Sequence, residues 1–283
     1  MKKKTINDKI FKVVLNFLPN YRYNFLNIKN HIRSFVKESA KEIKKGELVL
    51  DAGAGGCQWK KYFLHTKYES TDFEQIFDKR NKDLHTFICN LKNIPKEDNT
   101  YDSIINIEVI EHIDEPLKAI KEMYRILKPN GKLYLTTPQS MGVHGYPYNY
   151  FNFTRGGLEY LFRKAGFKKF IIKPRGGIFF EIATKVKEIP YYILSQYFLI
   201  ERKEGTKRKP ILKKFHPLAL ILIPLFISTW LIFQIILPFI INSLDNLDRK
   251  KDYTMGYCCK CYKEHTNLKF NGKKKEDLKE KEK

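Results

Sequence analysis

ELVLDAGAGG, Glu47 to Gly56, is the stretch from which the rest of this chain is best read. Leu48, Val49 and Leu50 form a short apolar run that turns polar at Asp51 and then becomes dense in glycine at 53, 55 and 56. A buried parallel strand entering a tight turn has this pattern. The glycines let the backbone take positive φ and let a ligand reach the main chain without meeting a Cβ. The dinucleotide pattern G-x-G-x-x-G would need glycine at position 58, which is Gln58, and the Gly-Lys-Ser/Thr ending of a phosphate-binding loop is absent. A cofactor turn of another kind, or a glycine turn with no ligand, is left.

Composition sets the bounds around this stretch. With 283 residues the chain can bury one substantial core and a small appendage. Its net charge of +22, from 53 Lys and Arg against 31 Asp and Glu, favours anionic partners without choosing among nucleic acid, anionic lipid and acidic glycan. Five cysteines, three of them at Cys258, Cys259 and Cys261, make no disulfide framework, so a reducing, cytosol-facing environment is expected. A zinc site there would need a distant fourth ligand such as His265, and the three read better as small apolar residues in a strand.

Upstream, Asn7, Asp8, Lys9 and Lys12 interrupt the apolar amino terminus and no small-residue cleavage site follows, so no cleaved signal peptide is predicted. Ile10, Val13, Val14, Phe17 and Leu18 have the spacing of a helix that touches lipid or packs on the domain. Ile28 to Lys45 is predicted as a helix with Ile32, Phe35, Val36 and Ile43 on one face and Gly46 as its stop.

Downstream, Gln58 to His65 is predicted as the helix whose amides face the cofactor. Tyr68 to Thr71 is a strand ending at Asp72, about 20 residues beyond Asp51, the distance at which a βα unit returns an acid to a ribose hydroxyl; an exposed loop aspartate is the plainer alternative. Further strands are expected at Thr86–Cys89, Ser103–Ile107, Leu133–Thr136 and Phe167–Lys173. Between them, Pro116 opens a helix carried by Leu117, Ile120, Met123, Tyr124 and Leu127 and stopped by Pro129 to Gly131, and Gly157 to Gly166 forms another. The aromatic loop with His144, Tyr148, Tyr150, Phe153 and Thr154 is expected over a substrate pocket. The alternation predicts an α/β, doubly wound, mostly parallel sheet with its ligand at the strand carboxyl ends.

LDAGAGG resembles the first motif of class I S-adenosylmethionine-dependent methyltransferases, an acidic residue followed by G-x-G-x-G, with the last glycine replaced by Cys57. The D-x-x-x-x-x-E-x-x-E-H-I run from Asp102 to Ile113 and R-I-L-K-P-N-G, Arg125 to Gly131, are similar to the middle of the methyltransferases of ubiquinone and menaquinone synthesis. The resemblance covers Leu48 to Lys173 and implies a seven-stranded Rossmann-like sheet with S-adenosyl-L-methionine as cofactor. It implies cofactor contacts from Asp51, Ala52, Gly53, Gly55, Asp72, Asn90, Leu91 and Glu108. Asn90 stands where the family usually offers an acid to the adenine amine, and its side-chain carbonyl can still accept from that amine. His112 is the best candidate general base, with Glu111 beside it and His144 as a second candidate. No metal is assigned, although Glu108, Glu111 and His112 form a string that can alternatively bind a divalent cation.

Beyond Gly176 the pattern changes. Residues 217 to 241 carry no charge, and their length meets the roughly 20 residues of a bilayer crossing, with Lys207 to Lys214 and Arg249 to Lys251 as basic flanks. A buried pair of helices is the soluble alternative. Tyr253 to Tyr262 reads as the final, antiparallel strand, so the apolar run is expected to turn back as a hairpin, kinked at Pro224 and Pro238, rather than cross once. The expected organisation is a basic helical segment (1–45), a cofactor-binding core (46–175), a membrane-associating insertion (176–250), the last strand (251–264) and a disordered charged tail (265–283).

The function expected is methyl transfer at the cytosolic membrane face to a lipid, quinone or lipid-linked saccharide. An RNA or DNA methyltransferase is the rival, disfavoured because much of the charge flanks apolar segments and no N-P-P-Y-like motif follows the fourth strand. A non-catalytic membrane scaffold is the third reading. The sequence sets no oligomeric state.

Overall fold

The computed structural model describes residues 28–73, 84–198 and 231–264. The expected helix within residues 1–27, most of the uncharged run with its upstream lysines, and the charged tail lie outside the described residues.

Seven strands form one sheet in the order β3-β2-β1-β4-β5-β7-β6. They are β1 (Leu48–Ala52), β2 (Lys67–Asp72), β3 (Phe87–Ile88), β4 (Tyr101–Ile107), β5 (Leu127–Pro138), β6 (Lys169–Pro174) and β7 (Gly256–Tyr262). All neighbours are parallel except β7, which runs antiparallel between β5 and β6. The order reverses between β1 and β4, so the crevice where a cofactor sits in open α/β sheets lies at their carboxyl ends.

Helices cover both faces, as the apolar runs of β1 and β4 require. Helix α1 (Ile28–Glu42) turns Ile32, Val36 and Ala40 inward, and Ile43 just beyond it joins them against Val49, Ile105, Ile107 and Tyr134. On the other face, α2 (Pro116–Ile126) starts on proline and buries Ala119, Ile120, Met123 and Ile126. Helix α3 (Arg155–Ala165) is capped by Thr154, whose hydroxyl accepts from the Gly157 amide, and ends at Gly166 with φ +115°, where a Cβ would meet the Tyr124 ring at 2.9 Å. Lys263, 8% exposed, fixes the far end of β7 by donating to the Tyr124 and Leu127 carbonyls at the end of α2.

Three sequence expectations are corrected. Gln58 to His65 is not an α-helix but a series of turns with one 3₁₀ turn, Lys60–Tyr62, because Thr66 folds back onto the Phe63 carbonyl through both amide and hydroxyl and ends it. The third strand shrinks to Phe87–Ile88, at the sheet edge with only β2 to pair. The fifth begins at Leu127, which already pairs with Tyr101 of β4; Asn130, in a left-handed turn, bonds to Lys263 within the irregularity before the ladder resumes at Lys132.

After β6 the chain leaves the sheet as α4 (Ile178–Phe198), a helix the sequence reading did not specify, and returns through a π-helical turn (Ile232–Ile236) and α5 (Leu237–Ser243). The return arm packs on α4, and Gln234 donates to the Lys187 carbonyl at 2.5 Å. Below it, Asp245 accepts from the Gly177 and Phe180 amides and Asp248 from the Ile178 amide, so the returning chain caps the outgoing helix. Among the described residues no helix is long and apolar enough to cross a membrane.

Candidate active site

The site gathers at the carboxyl ends of β1, β2, β4, β5 and β6. β1 ends in Asp51 and Ala52, and the Ala52 carbonyl is held by buried Asn106 of β4 at 2.8 Å. The turn that follows is fixed by the Gly53 and Ala54 amides, which both donate to the Thr71 carbonyl. Gly53 takes φ +87°, and a Cβ there would lie 2.5 Å from both methyl groups of Val109, so the main chain is as close to β4 as glycine permits. Gly55 also has positive φ, and its amide donates to Asp72 Oδ2 at 2.6 Å; Asp72 Oδ1 accepts from the Phe73 amide. Asp51, Gly53, Gly55 and Asp72 are thus brought together at the carboxyl ends of β1 and β2.

Asp51 is 1% exposed, accepts the Tyr68 hydroxyl at 2.5 Å, and keeps its other oxygen buried without a partner. Burial pushes its carboxyl up to about 7, the Tyr68 hydroxyl opposes this, and the nearby Asp72 adds to it. A buried orphan acceptor beside a backbone turn with no room for a Cβ fits a ligand that brings a cationic donor and approaches the main chain, as S-adenosylmethionine does. Asn90 forms a local turn, its side-chain oxygen accepting from the Lys92 amide, and Leu91 is buried beneath it.

The protonated form of Asp51 is favoured by the folded state, so its stabilising effect is complete below the unfolded value of 3.8 and is lost as pH rises through about 7. Asp51→Asn is therefore expected to raise the stability of the cofactor-free protein on the alkaline side of that window, by a few kcal/mol at most. Urea unfolding of both proteins across that range checks it; a difference that does not change with pH would contradict it.

The acceptor side is built on the turn after β4. Glu108, forced to φ +55°, points to Arg175, which follows β6 and is 1% exposed. Their charges meet at 3.0 Å, and Arg175 also donates to the Thr137 carbonyl at 2.8 Å. Glu111 is fully buried, one oxygen accepting from Thr137 at 3.2 Å and the other without a hydrogen bond. Burial and neighbouring Glu108 push its carboxyl above the usual range. The aromatic loop rests on the Glu111 carbonyl, which accepts the Tyr150 and Phe151 amides, and this brings His144 edge-to-face with His112 at 4.9 Å between ring centroids.

His112 Nδ1 lies 2.7 Å from the Tyr148 carbonyl and His144 Nδ1 lies 3.0 Å from the Gly142 carbonyl. A carbonyl only accepts, so each proton sits on Nδ1 and each Nε2 is left as an acceptor. Burial lowers the His112 pKa, with the Tyr148 carbonyl opposing.

The structure thus brings together His112, Glu111 and His144, whose ligand atoms lie within 4.8 Å of one another, a set able to hold a divalent ion. Glu108 stands outside that set and pairs with Arg175. Arg175 escaped the sequence reading; its one signal is an arginine directly after a strand, before Gly176 and Gly177. Cys259 and Cys261 are fully buried strand residues whose thiols burial pushes well up, and His265 lies outside the described residues.

Comparison with known proteins places the chain in a family. Residues 25–170, more than half of the chain, match the family described as "Methyltransferase domain". The chain is similar to the mouse probable tRNA methyltransferase 9B, 31% identical over 105 residues, covering 35% of this chain and 24% of that protein. It is also similar to the mitochondrial ubiquinone biosynthesis O-methyltransferase of Dictyostelium discoideum, 27% identical over 135 residues, covering 47% and 40% of the two chains. The match therefore spans less than half the length of either relative. Among solved structures, phosphoethanolamine N-methyltransferase 2 of Haemonchus contortus, in complex with S-adenosyl-L-methionine, is 17% identical with a TM-score of 0.47, covering 83% of this chain and 53% of that one. The chain belongs to the methyltransferase domain family.

Proposed function

We propose that this chain is an S-adenosyl-L-methionine-dependent methyltransferase that works at the cytosolic face of a membrane on an acceptor held in the bilayer: a lipid, a quinone or a lipid-linked saccharide. One observation carries the reading. The apolar excursion starts and ends on the same sheet edge as the site, because Pro174 of β6 and Pro138 of β5 lie opposite Tyr257 and Gly256 of β7. A single crossing would put β7 on the wrong side of the membrane from the strands it pairs with. The return arm leaves Ile232, Ile236, Ile240 and Leu247 exposed, and the aromatic loop leaves Val143 and Tyr146 exposed. Apolar surface of this kind rimmed by charge suits an interface with lipid.

In this reading Asp51, Ala52, Gly53, Gly55, Asp72, Asn90 and Leu91 hold the cofactor, which supplies a methyl group on a sulfonium. His112 Nε2 takes the proton from an acceptor hydroxyl, the Tyr148 carbonyl holds the ring, and Glu111 and His144 shape the pocket. Glu108, locked to Arg175, sets the wall between the two ligands. The similarity to a tRNA methyltransferase and the charge of +22 favour RNA as the second reading.

Flotation of the full chain with vesicles containing phosphatidylglycerol tests the membrane reading. The protein is expected to float, and Ile236→Glu with Ile240→Glu to stay at the bottom of the gradient while binding S-adenosylhomocysteine normally. Failure of the unaltered chain to float would contradict it.

A further inference from the structure

At the foot of the excursion lies a cleft of about 410 Å³ whose lining the site described above does not use. Its walls include Arg155 at the start of α3, Arg249, Lys250 and Lys251 on the returning chain, and Tyr257 of β7. Four cations thus stand against one carboxylate in the lining, Asp252. Arg155 and Lys251 are partly neutralised by Glu159 and Asp245. Arg249 and Lys250 have no carboxylate partner among the described residues and are exposed.

The amino end of α3, an 11-residue helix, opens on the same cleft at Gly156 and adds its partial positive charge. Tyr257 is 4% exposed and is tied to Gln139, so this part of the lining is fixed. A second cleft of about 400 Å³ shares Arg249, Lys250 and Asp252 and adds Leu247 and Tyr253, which are 70% and 65% exposed, and Asp248, whose carboxylate is taken up by the Ile178 and Lys251 amides. The two clefts together set the cations beside exposed apolar side chains, Leu247 and Tyr253, next to the return arm.

We propose that this paired cleft binds a phosphate or diphosphate ester carried by a lipid. The cations and the helix end hold the phosphate, and Leu247 and Tyr253 hold the first part of the chain. The inference rests on the membrane reading above and deepens it, since Pro174 lines the cleft and its neighbour Arg175 reaches Glu108 in the site. A headgroup held here therefore stands beside the acceptor pocket. Cation against phosphate in a partly closed cleft is the strongest attraction this surface offers, and the apolar rim distinguishes a lipid from a soluble anion or a nucleic acid backbone.

The test is calorimetric titration of the full chain with farnesyl diphosphate, inorganic diphosphate and tRNA. It compares unaltered protein, Arg249→Glu with Lys250→Glu, and a charge-matched control, Lys41→Glu with Lys45→Glu, on exposed positions of α1 and the loop after it. Farnesyl diphosphate is expected to bind tightest, and the Arg249, Lys250 variant to lose at least roughly tenfold in its affinity while the control changes less than about twofold. S-adenosylhomocysteine affinity and vesicle flotation are expected to survive in that variant, which shows that it folds and separates this outcome from failure of the membrane reading. Equal loss in both charge-reversed proteins, or no loss in either, would overturn the site. Equal binding of inorganic diphosphate, or tighter binding of tRNA, would overturn its assignment to a lipid.

Discussion

Gly53→Val is expected to abolish cofactor binding. The residue stands at φ +87°, and its Cβ would sit 2.5 Å from two methyl groups of Val109, which β4 holds in place. The left-handed conformation alone costs a side-chain-bearing residue about 1–3 kcal/mol, and forcing a β-branched side chain into packed space costs about 1–3 kcal/mol more. The turn must shift away from β4, and with it the Gly55 amide that holds Asp72. Calorimetry should detect no binding of S-adenosylhomocysteine at concentrations that saturate the unaltered protein, with the far-ultraviolet spectrum retained. Gly56→Ala, where a Cβ meets nothing within 4 Å, should bind normally. Normal binding by Gly53→Val would remove this turn from the cofactor site.

His112→Ala is expected to lower kcat by about two to four orders of magnitude, the range for loss of a positioned general base, with S-adenosylhomocysteine affinity within about twofold of normal. Because burial lowers the imidazole pKa, the ring stays neutral to lower pH than an exposed histidine, so activity should persist further into acid before falling. Chelation should leave the rate of the unaltered enzyme unchanged if His112 is the base. A rate lost to chelator and restored by a divalent ion would give Glu111, His112 and His144 to a metal instead.

The parts of the fold that were legible in the sequence are those where one local pattern has one physical outcome. The apolar runs at Leu48–Leu50 and Ser103–Ile107 have to be buried on both faces, and the chain from Ile28 to Ile43 keeps a single apolar stripe. The placing of Asp51 and Asp72 was legible for the same reason, since each stands at the carboxyl end of one of two adjacent parallel strands. Gln58 to His65 misled because its composition suits a helix while the reason it is not one, Thr66 closing on Phe63, is a three-residue detail.

Arg175 and Glu108 lie 67 positions apart and meet only because the long Arg175 side chain reaches back across the end of β7 to the Thr137 carbonyl and the turn after β4. His144 reaches His112 only once the loop has docked on the Glu111 carbonyl. The paired cleft combines the start of α3 with residues almost a hundred positions later, a juxtaposition that no periodicity announces.

The central claim is that the methyl acceptor lives in the membrane. Incubating the full chain with methyl-labelled S-adenosylmethionine, a total membrane lipid extract and total RNA, then separating the organic phase from the nucleic acid, tests it most directly. The account predicts label in the organic phase, lost in Gly53→Val and His112→Ala. Label confined to RNA would contradict it.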